Sequence, residues 1–270
     1  MAEQTSPVLP PDQRPPFAQL VPMPASRVSK RRPIIVGHRG AQGLAPENTL
    51  PAFEAAAALN IDGVEFDVQR TKDGHLIVFH DEDVARTTDG QGLVADLTLD
   101  EIQALDAGST FGEAYRGVRV PTLRALFDYL TTTDLLLFIE LKDPWRYPGM
   151  EAQVIELIRA YDLVQRSQIR SFYHAALHTV YQLAPEIALS ELWWNRLPTN
   201  EEVIYNTINA YYPLYGASNI EEIHRRGQKA TAWTVDDLDE ARRLMAAGID
   251  GLTTNYPDRL LALFEPGGSE

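Results

Sequence analysis

Asp62-Gly63-Val64-Glu65-Phe66-Asp67-Val68 reads as a strand. On a strand, alternate side chains share a face, so Glu65 and Asp67 point one way and Phe66 the other. Two carboxylates side by side repel each other. They are stable there mainly with a cation between them, and hard oxygen donors suit Ca²⁺ or Mg²⁺. His38 and His80 flank the stretch. Two histidines near a divalent cation point to a general acid and a general base. The pattern is that of metal-assisted chemistry on an anion.

Outward from this strand, short β-branched or apolar runs alternate with longer helical patterns. Strands are expected at 34–38, 62–68, 135–141, 168–173, 187–192, 209–212, 229–234 and 250–254, the sixth carrying the weakest signal. Helical patterns fall between them, at Thr49–Leu59, Thr122–Leu130, Met150–Tyr161, Ala175–Leu183, Ile220–Arg226 and Asp236–Ala247. Gly248 stands where a helix C-cap glycine belongs. Eight strand–helix units over a chain of this length fit an α/β fold closed as a (β/α)₈ TIM barrel. A doubly wound open sheet is the alternative, but no Gly-rich phosphate loop follows the first strand. The domain is expected over residues 33–265. Residues 72–121 form an insertion after strand two that begins with a hairpin arm, His75–His80, after the Lys72-Asp73-Gly74 turn. So long a connection in a compact domain is usually functional or disordered, and this one, which carries His80 and has an ordered pattern, reads as a substrate-covering excursion.

Barrel enzymes work at the C-terminal ends of their strands. His38 and Arg39 end strand one, Glu65 and Asp67 end strand two, and Glu140 and Lys142 end strand three, two apart and on one face. Each has a plainer reading alone: a hydrogen-bonded strand-end histidine, a His80-Asp81 surface pair, a structural Glu140–Lys142 ion pair. Their convergence at one mouth favours a site, because charged pairs on apolar strands are costly unless paired or metal-bound. All four tryptophans, Trp145, Trp193, Trp194 and Trp233, also fall near strand ends. Rim packing is the plain reading for Trp193 and Trp194, and a wall for a small substrate or a cation–π site is the functional one. Asn48 reads as a helix N-cap, with Glu47 a weaker site candidate.

The chain has 270 residues, 44% of them apolar, and no cysteine, which excludes disulfides and thiolate metal ligands. Its formal net charge of −14 disfavours nucleic acid and anionic lipid as partners. No apolar run approaches a membrane span, and the first 32 residues, rich in proline, lack the apolar core of a secretory signal. Residues 1–32 read as an extended or mobile arm, and the protein as cytoplasmic, without stable membrane association.

The segments His38-Arg39-Gly40, Pro46-Glu47-Asn48-Thr49, Val64–Val68, Thr71-Lys72-Asp73-Gly74, His80-Asp81 and Arg86-Thr87-Thr88 resemble the glycerophosphodiester phosphodiesterase family. Pro121-Thr122-Leu123, Ile139-Glu140-Leu141-Lys142, Ser171-Phe172 and Trp233-Thr234-Val235 continue the likeness in order. The resemblance implies a barrel hydrolase that cleaves glycerophosphodiesters to glycerol 3-phosphate and an alcohol with a divalent cation, a function in lipid and glycerol metabolism. It implies metal binding by Glu65, Asp67 and Glu140, acid–base roles for His38 and His80, and phosphate contacts from Arg39 and Lys142. Trp233 is a substrate-binding candidate because it lies in one of these motifs. Where relatives often carry aspartate this chain has Asn255, which reads as a turn residue.

Overall fold

The computed structural model describes residues 32–199 and 205–264. The arm expected over residues 1–32 therefore lies outside the described residues, apart from Arg32. In chain order the elements are β1 (Ile34–Gly37), α1 (Leu50–Ala58), β2 (Gly63–Arg70), β3 (Leu76–Val78), α2 (Leu99–Ala104) and α3 (Leu123–Leu130). They continue with β4 (Leu136–Leu141), α4 (Met150–Ala160), β5 (Ser167–Ser171), α5 (His174–Leu183), β6 (Ala188–Trp193) and β7 (Thr207–Tyr211). Last come α6 (Ala217–Arg225), β8 (Lys229–Trp233), α7 (Leu238–Ala246), β9 (Gly251–Thr254) and α8 (Pro257–Ala262).

Every strand except β3 pairs in parallel, and β1 pairs with both β9 and β2, so the sheet closes into the expected eight-stranded barrel. The sixth barrel strand, β7, starts two residues before its expected position. Its sequence Thr-Ile-Asn-Ala-Tyr lacks the apolar run of its neighbours because Asn209 faces a polar interior. Between β6 and β7 no α-helix forms among the described residues.

Phe66 explains why β2 sits where it does. It is fully buried outside the barrel, edge-on to Phe53 of α1 (5.8 Å) and Phe127 of α3 (6.4 Å). Removing it would cost about 3–5 kcal/mol. Helix α3 buries Leu123, Leu126, Phe127 and Leu130, one stripe at helical spacing, and Thr122 caps its first turn by accepting from the Ala125 N–H at 3.0 Å. Inside the barrel, Ile34, Val36, Leu136 and Phe138 form an apolar plug. In the register row beyond Phe138 the strands align Asp67, Glu140, Arg170 and Ser190. The interior therefore turns from apolar to charged within one pleat.

Residues 72–121 fold as an ordered annex. β3 runs antiparallel to the end of β2. Ile77, Phe79, Val84, Val94, Ile102, Ala107 and Val120 build a small core of their own. Helix α2 starts with a Thr98–Glu101 capping box.

Candidate active site

The first barrel loop is shaped to meet β2. Arg39 and Asn48 take left-handed backbone conformations, with φ of 52° and 57°, uncommon for arginine and better tolerated by asparagine. The turn brings the Arg39 N–H to Glu65 Oε2 at 3.0 Å. Gly40 is required here, because its φ is +84° and a Cβ would lie 2.7 Å from the Ala52 backbone. Asn48 is not the helix N-cap that the sequence suggests. Thr49 occupies that position, and Asn48 donates through Nδ2 to Asp67 Oδ2 at 2.8 Å.

Glu65, Asp67 and Glu140 converge, each offering a carboxylate oxygen within 4.8 Å of the others. Burial first, then the Asp67 and Glu140 charges, push the Glu65 carboxyl well above its ordinary range. Burial works the same way on Asp67, but the charges of His80, Lys142 and Arg39 outweigh it and hold that carboxyl low. Asp67 Oδ1 is buried without a hydrogen-bond partner. An orphaned carboxylate oxygen facing two further carboxylates suits a hard divalent cation, so the donor set fits the metal inferred from the sequence. Arg39 and Lys142 lie alongside, at 3.6 and 3.8 Å from Asp67, and Lys142 Nζ donates to Glu140 at 2.8 Å.

The two histidines have chemically different partners. His38 Nδ1 lies 2.6 Å from Asn255 Oδ1, and Asn255 is oriented by giving its Nδ2 protons to Asp236 at 2.6 Å. Gln42 Nε2 lies 2.7 Å from the same ring nitrogen and also donates to Asn255 Oδ1. With Asn255 Oδ1 held as an acceptor, the Nδ1–H tautomer is the one that serves the shorter His38–Asn255 contact. It leaves His38 Nε2 as an acceptor, 3.9 Å from Glu65. Burial, then Arg39, pushes the His38 pKa down to about 3, so the ring is neutral. His80 Nδ1 instead faces a carboxylate, Asp81 Oδ1, at 2.6 Å. Gln69 Nε2 fixes the backbone there by donating to the carbonyls of Phe79, His80 and Asp81 at 3.1, 3.0 and 2.6 Å.

All this opens into a cavity of about 570 Å³ that both histidines, Arg39, Glu65, Glu140 and Lys142 line. Trp233, edge-on to Phe172 at 5.6 Å and near Tyr211 at 5.9 Å, forms its aromatic wall. Trp194 also lines it, whereas Trp193 is buried against His174. Trp145 stays exposed, with Nε1 donating to the Tyr173 hydroxyl. Ser171 is structural, its hydroxyl donating to the Leu141 carbonyl. Asn255, which the sequence suggests is only a turn residue, is instead the partner of His38, and Gln69 and Arg170 escape sequence reasoning. Of these only Arg170 carries a signal, a charge in an otherwise buried strand.

Comparison with known proteins gives the same answer from another direction. The model of the glycerophosphoryl diester phosphodiesterase family matches residues 38–259. A glycerophosphodiester phosphodiesterase of Caldanaerobacter subterraneus is 39% identical over 87% of this chain and 99% of its own length. One from Bacillus subtilis is 35% identical over 86% of both. An Oleispira antarctica phosphodiesterase solved with the product sn-glycerol-3-phosphate superposes with a TM-score of 0.82 at 30% identity, over 87% of this chain and 98% of that one. On this match, which spans every residue of the site built above, the chain belongs to the glycerophosphoryl diester phosphodiesterase family and is an enzyme of that class.

Proposed function

We propose that the protein hydrolyses glycerophosphodiesters to glycerol 3-phosphate and an alcohol, with His38 as base and His80 as acid. One observation carries the reading: two histidines with opposite kinds of partner share a cavity with two cationic side chains and with Glu65 and Glu140, which converge with the buried Asp67. Glu65, Asp67 and Glu140 would hold the cation, Ca²⁺ or Mg²⁺, which when bound supplies positive charge against the phosphoryl oxygens.

Arg39 and Lys142 take the phosphate, exchanging part of their contact with Asp67 for phosphate oxygens. The glycerol 2-hydroxyl, held beside its own phosphorus, is the nucleophile, and proximity makes it effective. Its proton passes to His38 Nε2, the free acceptor. The bond to the head-group oxygen breaks, and that oxygen takes a proton from His80, whose ring Asp81 holds by Nδ1. Water then opens the 1,2-cyclic phosphate with the two roles reversed, which returns both histidines to their starting states. Trp233, Phe172 and Tyr211 give the non-reacting part of the substrate an apolar wall.

Among the described residues no helix is long and apolar enough to cross a membrane. The reading includes a water-soluble substrate and a cytoplasmic setting, on the charge and sequence grounds given above. The test is release of glycerol 3-phosphate from glycerophosphocholine, followed by a coupled assay with and without EDTA. Release that stops with EDTA and resumes with Ca²⁺ or Mg²⁺ is expected. Folded protein that releases none from any of a panel of glycerophosphodiesters at saturating cation rejects the reading.

A further inference from the structure

Arg170 is a buried charge that the proposed mechanism leaves unused. It lies on β5 in register with Glu140, is 2% exposed, and lines the same cavity as Glu65 and Glu140. Its guanidinium stacks over the Phe138 ring at 4.1 Å, and its Nε donates to Gln168 Oε1 at 3.0 Å. In the amide orientation that also satisfies Thr231, Asn209 accepts from Arg170 Nη1 at 3.2 Å. Nη2 is buried without a hydrogen-bond partner.

A guanidinium so placed is costly unless negative charge lies close by. Glu65 and Glu140 supply it, although burial still brings the Arg170 pKa down to about 10. The site therefore sets three cations, Arg39, Lys142 and Arg170, against three carboxylates. Arg39 and Lys142 touch carboxylates directly and remain partly exposed, free to turn to a phosphate. Arg170 has no such freedom, being pinned by Phe138, Gln168 and Asn209.

We propose that Arg170 is a built-in counter-cation of the carboxylate trio, stacked on Phe138 and fixed beside Glu140, which balances the site's charge when no divalent ion is bound and weakens its hold on one. The inference rests on the reading that Glu65, Asp67 and Glu140 bind a divalent cation. Its physical content is simple repulsion: a fixed positive charge in the barrel interior, weakly screened, opposes the arrival of a second. It makes cation occupancy adjustable over the ambient range instead of permanent, and it lets the barrel fold before any cation arrives.

The experiment is calorimetric titration of Ca²⁺ and Mg²⁺ into chelator-stripped full-length protein, with Arg170→Gln, Arg170→Met and Arg170→Lys beside the unaltered enzyme. The neutral variants are expected to bind at least about fivefold tighter, with Arg170→Lys close to the unaltered affinity. Their melting temperatures should fall in EDTA and recover in saturating cation by more than the unaltered enzyme gains. A neutral variant that folds only in the presence of cation gives the same answer. Neutral variants that bind no tighter than Arg170→Lys, or that stay unfolded in saturating cation, overturn the inference. Absence of cation uptake by the unaltered enzyme and the neutral variants alike overturns the metal reading as well, so the two failures are told apart.

Discussion

Arg86 grips Glu47 with both ends of its guanidinium, Nη1 to Oε2 at 2.8 Å and Nη2 to Oε1 at 2.7 Å. The same Glu47 Oε1 accepts from Arg39 Nη1 at 2.7 Å, and Arg86 Nε donates to Asp81, the partner of His80. One side chain from the annex after β2 therefore orients an arginine on the first barrel loop and a histidine on its own segment. Arg86→Ala should lower kcat by about 10–100-fold, the range for removing a group that orients a site residue. The melting temperature should change little, because Arg86 is half-exposed. Arg86→Lys cannot make both contacts at once and should restore only part of the rate. Normal turnover in Arg86→Ala rejects the link.

Cation binding should show in stability as well as in rate. The raised Glu65 pKa means that the folded, cation-free protein keeps a proton that the unfolded chain gives up near 4.5. That contribution is present at low pH and is lost as pH rises through the raised folded value. A bound cation replaces the proton. The gain in melting temperature on adding Ca²⁺ or Mg²⁺ should therefore grow as pH rises from acid to neutral. Glu65→Gln should abolish the gain while leaving a folded barrel. A gain that does not vary with pH argues against cation binding at Glu65.

The neutral state of His38 gives a pH prediction of its own. Below 6.5 the unfolded chain protonates this histidine, whereas the folded protein resists until about 3. Over that window the contribution of His38 to stability falls as pH falls. Asn255→Asp puts a carboxylate against Nδ1 and favours the imidazolium. The acidic limb of kcat/KM should then move to higher pH, and the loss of stability in mild acid should lessen. His38→Ala should lower kcat by about 10²–10⁴-fold. If the pH–rate profile of Asn255→Asp overlays that of the unaltered enzyme, Asn255 does not tune the base.

The barrel was legible in the sequence because its strands announce themselves by apolar runs broken at regular intervals, and Phe66 between two carboxylates gave the facing of β2 directly. The carboxylates and histidines were legible because they stand two apart on strands or just after them, although β2 runs on to Arg70 and so carries Glu65 and Asp67 within it instead of at its end, and His80 follows the antiparallel β3. Gln69 and the role of Asn255 were not, since a lone amide carries no periodicity and its partners are chosen by the fold, 217 positions away for His38 and Asn255. Asn48 was misread for a related reason. Asparagine before a helix is favoured by its cap, and only the fold brings Asp67 close enough to take its amide instead. Thr207 and Ile208 were missed at the start of β7 because the polar interior removes the alternation that marks a half-buried strand.

The internal nucleophile is the step that separates this mechanism from direct attack by water. A glycerophosphocholine analogue without the 2-hydroxyl keeps the phosphate that Arg39 and Lys142 would hold and the head group that the aromatic wall would meet. It should bind with nearly the native affinity. It lacks only the oxygen held beside phosphorus, whose proximity is worth several powers of ten in effective concentration. Its turnover should therefore fall by orders of magnitude, with KM little changed, and with native substrate a 1,2-cyclic phosphate should accumulate transiently in rapid-quench samples. The cyclic phosphate, supplied as substrate, should be opened by the unaltered enzyme and far more slowly by His38→Ala and His80→Ala, because the second step reverses the same two proton transfers. Hydrolysis of the deoxy analogue at the native rate would assign the nucleophile to water and remove the 2-hydroxyl from the mechanism.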